Sequence, residues 1–352
     1  MSLNIDDDFQ SWINNGGDVH SVDDQGRSTL WYAVQNDNYQ VTEYLLSVGA
    51  DASLVDKTGV SVLDMALYND SYEIAKLLLH HGGSVNNHNF GISRVMTIPL
   101  RPNDNKIIRL LFDYGLDTDI WLGLFMKAIH TGDVELVRLF IDRGANLNSG
   151  LFITLINHNM RMSELLLQYG ADPNRASYST VYKHDKPGKK KRSSLLMEAI
   201  KRRDADGVEL LLRYGADAND NNFGRNTVLH MAAKVGVLET VLSLLSYGAN
   251  VNALNSKLQT PLTVAAKYAN LPVLCALTRY GGNVKTRDFK GYTPLHHGVK
   301  SGNMASVIHL LDKGADVYAI AYNGDMPLSL ATSEDMKHIL AIHMALDRTP
   351  PE

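Results

Sequence analysis

Apolar residues recur along the chain at helical spacing, in short segments that glycine-rich polar turns separate. The segment 241–245, VLSLL, places an apolar stripe on one face of a helix. Pairs of alanine at 232–233 and 265–266 have small side chains that let neighbouring helices approach closely. One such helix pair cannot bury its apolar face alone, so the pattern predicts a stack of helix pairs.

The helical segments repeat at a fixed period. LLSVGAD at 45–51 recurs in related forms such as LLRYGAD and LLSYGAN, and WINNGGD at the start is a variant of it. Six of the nine intervals between the shared glycines are 33 residues, and the other three, of 29, 26 and 45, follow one another mid-chain. These glycines are Gly16, Gly49, Gly82, Gly115, Gly144, Gly170, Gly215, Gly248, Gly281 and Gly314.

A second signature follows most of these glycines by about twelve residues. It reads STLWYA from Ser28, SVLDMA from Ser61, TVLHMA from Thr227, TPLTVA from Thr260 and TPLHHG from Thr293. The fixed period and the two recurring segments, which we call boxes, together resemble the ankyrin-repeat family over nearly the whole chain. The resemblance implies an all-α repeat solenoid, an array of helix-turn-helix units with β-hairpin fingers. The Ser or Thr that opens each box is a suitable helix cap.

The spacing predicts one ankyrin-repeat domain over 1–352. We expect an N-terminal cap at 1–18, about nine repeats over 19–323, irregular at 91–194, and a C-terminal cap, a last helix pair, at 324–346. The intervals of 29 and 26 indicate two shortened fingers, and the interval of 45 indicates one enlarged finger between 173 and 194. Two interpretations are open: the irregular repeats form a feature for one particular partner, or their loops have changed in length without any functional role.

Composition and charge narrow the class of protein. Of 352 residues, 45% are hydrophobic and 20% charged, which is typical of folded soluble proteins. We find no apolar run long enough to span a membrane and no secretory signal, and the single Cys275 excludes an internal disulfide. These features favour a cytoplasmic protein, and we expect a monomer. Residues 1–80 hold 13 acidic against three basic residues, so the rest of the chain is net positive.

A basic run lies in the enlarged finger. Three interpretations are open: a solvated loop, contact with an acidic protein or membrane surface, or nuclear import and nucleic-acid binding. The basic residues of the run are Lys186, Lys189, Lys190, Lys191 and Arg192.

Four lysines share one register near the end of the first helix in successive C-terminal repeats, each 33 residues after the last. We call this set the lysine ladder: Lys201, Lys234, Lys267 and Lys300. The family resemblance implies that this register faces a concave groove. Packed helices lie about 8–10 Å apart, close to the Debye length in physiological salt, so the fields of successive ammonium groups overlap partly. The ladder can therefore steer an acidic partner.

Basic and aromatic residues at the fingers and helix ends extend this surface, and aromatic anchors among cations are typical of binding hot spots. The alternative is structural, because ankyrin repeats often carry a polar or basic residue in this register. The expected partner-binding residues are Lys201, Arg202, Arg225, Lys234, Lys257, Lys267, Tyr268, Phe289, Lys290, Tyr292 and Lys300.

The sequence favours a scaffold that binds another protein, without catalytic, metal or cofactor site. His230 and His296 lie in the TPLH-type boxes, where the resemblance implies bonds to neighbouring backbone. The resemblance implies that this protein belongs among the adaptors, immunity proteins or bacterial effectors that are built of such repeats. One alternative is an enzyme with a site in the irregular centre, around Trp121, His130, His158 and His184. Another is a polyanion binder acting through the basic run, although we expect nucleic acid not to be the partner.

Overall fold

The computed structural model describes residues 18–86, 106–116, 118–174, 176–178, 192–222 and 224–346. The chain divides into two compact units, 1–150 and 151–352, and each is described by itself. Most of the expected N-terminal cap at 1–18, the proline-containing segment 91–105 and all of the basic run except Arg192 lie outside the described residues.

The first unit is built of helices. α1 and α2 pack together, α3 and α4 form the next pair, and α1 packs against α3. Its helices are α1 Thr29–Gln35, α2 Tyr39–Ser47, α3 Val62–Tyr68, α4 Tyr72–His80, α5 Lys106–Asp113, α6 Thr118–Thr131 and α7 Val134–Asp142. A further helix, α8 Leu147–Ile156, spans the division between the units.

The second unit repeats this pattern with one small hairpin. Its helices are α9 Met160–Gln168, α10 Leu195–Arg202, α11 Ala205–Arg213, α12 Val228–Val235, α13 Leu238–Ser246, α14 Pro261–Lys267, α15 Leu271–Arg279, α16 Pro294–Ser301, α17 Met304–Asp312 and α18 Glu334–Leu346. The strands β1 Ala176–Tyr178 and β2 Arg192–Ser194 pair antiparallel at the base of the enlarged finger.

Two rows of helices form the core of the second unit. α10, α12, α14 and α16 pack side by side as the inner row, and α9, α11, α13, α15 and α17 form the outer row. Leu229 of the inner row and Leu244 of the outer row are fully buried between them. Ala232 and Ala233 are fully buried as well, which allows the close helix approach that the alanine pairs predict. The all-α repeat fold expected from the sequence is confirmed.

Local capping explains where the inner helices begin and the outer helices end. The hydroxyls of Ser194 and Thr260 accept hydrogen bonds from the backbone N–H groups of Met197 and Thr263, as N-caps do. The loop glycine after each outer helix has positive φ, 88° at Gly215, which side chains adopt only at a cost. The prediction that the Ser or Thr at the start of each box caps its helix is therefore confirmed.

The fingers are tight turns closed by side-chain hydrogen bonds. In the finger between α13 and α14, the Asn255 Oδ1 accepts from the backbone N–H groups of Lys257 and Gln259. Asp288 does the same in the next finger, for Lys290 and Tyr292. Such Asx turns replace most of a strand ladder. Several fingers consequently carry one isolated antiparallel bridge where the sequence predicts a longer hairpin.

The middle of the chain carries shortened connections. α6 begins at Thr118, three residues after Gly115, and α8 begins at Leu147, three residues after Gly144. A regular repeat such as the one after Gly215 takes 13 residues to reach its next helix at Val228. The connections before α6 and α8 therefore have no room for a finger.

The C-terminal end differs from the expected helix pair. Its first member is a single 3-10 turn, Pro327–Leu330, followed by α18. The Ser329 hydroxyl donates back to the Met326 carbonyl, and Ala331 takes extended backbone angles, φ −73° and ψ 123°. These two features stop the helix after four residues. α18 covers the end of the core with the buried Met336 and Leu340.

Among the described helices, none combines the length and the apolar character that crossing a bilayer requires.

Candidate binding groove

The lysine ladder lies along one edge of the inner row. Each of its lysines is exposed and occupies the last turn of its helix, in α10, α12, α14 and α16 respectively. Because these helices pack as successive neighbours, the ladder crosses four repeats. The structure thus brings together the four lysines that the 33-residue register aligns.

Two depressions lie between the inner row and the fingers. The first, of about 540 Å³, is lined by Lys201, Lys234 and Tyr268, and the second, of about 390 Å³, by Lys290 and Lys300. Lys257, Gln259 and Lys267 line both. The depressions are therefore adjacent, and we call the combined surface the groove.

The ladder's lysines differ in how far the chain neutralises them. Lys201 Nζ lies 2.9 Å from the Ser193 hydroxyl and 3.4 Å from a Glu198 oxygen. The other three ladder lysines, and Lys257 and Lys290 on the fingers, have no carboxylate within 4.0 Å among the described residues. An ammonium group donates hydrogen bonds and accepts none, so the groove offers unneutralised donors.

Aromatic rings lie among these cations. Tyr268 is 47% exposed, and its ring centroid is 5.5 Å from Lys234 Nζ and 5.8 Å from Lys267 Nζ. Phe289 is 50% exposed with Lys290 Nζ 5.6 Å from its ring. The ring quadrupole attracts a cation over an aromatic face, so each ring favours a position of its lysine beside the groove.

Two residues of the expected set, Arg202 and Arg225, line neither depression, and a third, Tyr292, lines the second depression as a largely buried ring. Tyr292 is only 9% exposed and its hydroxyl donates to Asp325 at 2.6 Å, so it contributes to the wall of the depression, where Lys300 Nζ lies 5.9 Å from its ring centroid. Arg202 pairs with Glu198 at 3.5 Å and donates to the Ile156 carbonyl. Arg225 is exposed on a finger turn but lines neither depression.

Amide and carboxylate side chains form the floor of the groove and satisfy one another. Asn255 Nδ2 donates to Asn226 Oδ1 at 2.9 Å. His297 Nε2 donates to Asp288 Oδ2 at 2.9 Å. Burial raises the pKa of Asp288, but the hydrogen bonds from His297 and two backbone N–H groups outweigh it and leave the pKa below its ordinary value. Its negative charge is thus held beneath the surface by fixed donors.

The comparison with protein families agrees with this architecture. A family model described as ankyrin repeats (3 copies) matches residues 3–89 and, in overlapping stretches, 179–255, 196–288 and 229–321. The chain belongs to the ankyrin-repeat family. The matches leave out 90–178, which holds the shortened connections. No curated protein matches the chain. Ankyrin repeats are generally modules for protein–protein interaction and typically carry no catalysis.

The ankyrin histidines make the backbone bonds that the sequence predicts. His230 Nδ1 accepts from the Thr227 backbone N–H at 3.2 Å, and its Nε2 donates to the Gln259 carbonyl at 2.8 Å. His296 bonds Thr293 and the Asp325 carbonyl in the same way. These partners require the neutral imidazole, and burial lowers the pKa of both histidines below the ordinary 6.5. Each box therefore ties one ankyrin repeat to the next.

Mild acid is expected to destabilise the second unit. The unfolded chain binds protons on these histidines near pH 6.5, whereas the folded chain binds them only at lower pH. The contribution of the histidines to stability is therefore complete above pH 6.5 and falls as the pH drops below it. His297 and His309, whose pKa values burial also lowers, add to the effect. Midpoints of urea denaturation at pH 7.5 and 5.5 measure this loss of stability. A higher midpoint at pH 5.5 than at pH 7.5 would contradict the prediction.

Sequence reasoning missed the floor residues of the groove. Asn222, Asn255 and Asp288 recur 33 residues apart at the fingers, which is a usable signal for the turns that they close. The pair between His297 and Asp288 joins residues nine positions apart and has no counterpart in the neighbouring repeats, so a search for periodicity passes over it.

The histidines of the alternative enzymatic site are not seen as a cluster in the described parts. His130 is exposed in the first unit. His158, in the second unit, lies 3.6 Å from Asp204. His184 and the side chain of Trp121 lie outside the described residues. In the ranges that the structure describes, no three His, Cys, Asp or Glu side chains converge in a way that could hold a metal ion.

Proposed function

We propose that this ankyrin array binds a protein partner through the groove and that the contact surface of the partner is acidic. The observation that carries the proposal is the row of three exposed ladder lysines, Lys234, Lys267 and Lys300, which have no carboxylate within 4.0 Å among the described residues. Uncompensated charge of one sign along a depression attracts and orients the opposite charge.

The rigidity of the surface supports this function. The groove floor is internally hydrogen-bonded, and backbone bonds such as Phe289 N–H to the Lys257 carbonyl, at 3.1 Å, join successive fingers. A pre-organised surface loses little conformational entropy on association. Tyr268 and Phe289 supply apolar contact area beside the charges, which is the usual composition of interface anchors.

The test compares capture of partners by the wild type and by a variant with all four ladder lysines replaced by glutamate. The groove proposal expects the partner to be retained by the wild type alone. Capture of the same partner by both forms with equal affinity would assign binding to another surface. We propose the groove residues as the binding site and the cytoplasm as the location of the protein.

A further inference from the structure

The groove has a repeat distance as well as a charge, and the repeat distance constrains what can bind. Lysines of the ladder occur once per repeat on neighbouring packed helices, which lie roughly 8–10 Å apart. A polyproline II segment advances about 3.1 Å per residue with three residues per turn, so one of its faces recurs every ~9 Å. The spacing of every third residue in such a segment therefore matches the spacing of the lysines.

We propose that the occupant of the groove is an extended acidic peptide segment with Asp or Glu at every third position. This inference rests on the proposed function and specifies the partner. Carboxylates accept hydrogen bonds and donate none, which complements ammonium groups that only donate. Like charges along such a segment repel one another and keep it extended before it binds.

The second row of lysines fits the same occupant. Lys257 and Lys290 lie on successive fingers, 33 residues apart, and line the groove opposite the ladder. An extended segment lying between the rows presents side chains to both, because its successive residues point in different directions. The exposed faces of Tyr268 and Phe289 then contact the apolar residues between the acidic ones.

Nucleic acid fits the groove less well. Double-stranded DNA carries one charge per roughly 1.7 Å of its axis, so one lysine per repeat in each row would leave most phosphates without a partner. The groove cations that lack a carboxylate are all lysines, whereas Arg202 is engaged by Glu198 and the Ile156 carbonyl. Paired recognition of phosphate oxygens favours arginine.

The lysines should contribute unequally. Lys201 already contacts Ser193 and Glu198, so a ligand carboxylate gains less there than at Lys267, which has no carboxylate partner among the described residues. A Lys267→Gln variant is therefore expected to lose more affinity for the peptide than a Lys201→Gln variant. Both side chains are exposed, so neither change threatens folding.

The experiment measures fluorescence anisotropy of two labelled peptides on the full chain at low ionic strength. Both have ten residues and the same composition, with four glutamates among glycine, serine and proline. In one the glutamates occupy every third position, and in the other they are contiguous. The spaced peptide is expected to bind about fivefold more tightly, since the contiguous one leaves about two lysines unmatched. Lys267→Gln should weaken its binding more than Lys201→Gln.

Four results would overturn the inference. Equal affinity for the two peptides would show that the groove does not select acidic residues at every third position, although it would still be a binding surface. Equal loss in Lys201→Gln and Lys267→Gln would exclude the role of the uncompensated lysines. Tighter binding of a single-stranded oligonucleotide of equal charge would assign the groove to nucleic acid, and tighter binding of a helical peptide with glutamate at every seventh residue would exclude the extended form. Failure of the proposed function is distinguishable, because natural partners would then bind equally to the wild type and the ladder variant.

Discussion

Reversing the charge of the ladder is expected to lower the affinity for a captured partner by about 100-fold. Exposed ion pairs contribute about 0.2–1 kcal/mol each, and a glutamate replaces each attraction with a repulsion, so four sites together supply about 3 kcal/mol. Binding is measured by titration with the purified partner at fixed ionic strength. The substitutions are Lys201→Glu, Lys234→Glu, Lys267→Glu and Lys300→Glu.

A matched variant separates the groove from net charge. It reverses four other exposed cations of the second unit that line neither depression, so the change in total charge is identical. Its affinity should stay near that of the wild type, and circular dichroism should show that both variants are folded. Similar losses in the two variants would attribute the effect to net charge alone. The control substitutions are Arg279→Glu, Lys285→Glu, Lys313→Glu and Lys337→Glu.

Replacing His230 with alanine is expected to lower the free energy of unfolding of the second unit by about 2–3 kcal/mol. The change leaves the Thr227 backbone N–H without its partner and removes one of the two hydrogen bonds that the Gln259 carbonyl accepts, the other coming from the Asn255 backbone N–H. Thr227, His230 and Gln259 are all buried. A buried polar group without a hydrogen bond costs about 1–3 kcal/mol. Urea denaturation followed by circular dichroism measures the change.

An exposed histidine of the same unit provides the comparison. His338 lies on the surface of α18, so His338→Ala should change the stability by less than about 0.5 kcal/mol. If His230→Ala were equally mild, the hydrogen bonds between repeats would not contribute to stability as described. The loss of stability in His230→Ala is expected to extend beyond one repeat, because each repeat is stabilised by its neighbours in the stack.

Periodicity explains how much of this structure the sequence could predict. Every inner helix of the second unit begins at its Ser or Thr box, and the 33-residue register places four lysines in equivalent last turns. Equivalent positions in a repeat have equivalent surroundings, so a pattern in the sequence becomes a row in space. The shortened middle connections were visible in the intervals between glycines for the same reason.

Features confined to one repeat could not be predicted in this way. The Glu198 that partly neutralises Lys201 is three residues away on the same helix, but other ladder lysines have no equivalent acid. Tyr292 occupies a finger register that suggested exposure, yet its hydroxyl reaches Asp325 and its ring is buried. The 3-10 turn at Pro327–Leu330 depends on a hydroxyl bond of Ser329, which helical spacing does not reveal.

Photo-crosslinking from two matched tyrosine positions tests the groove most directly. Tyr268 lies in the groove and is 47% exposed, whereas Tyr280 follows the outer helix α15 and is 46% exposed. A photoreactive phenylalanine derivative placed at each site in turn samples the two surfaces with equal access. The account predicts that the bound partner crosslinks from position 268 and not from 280. Crosslinking from 280 alone would contradict it.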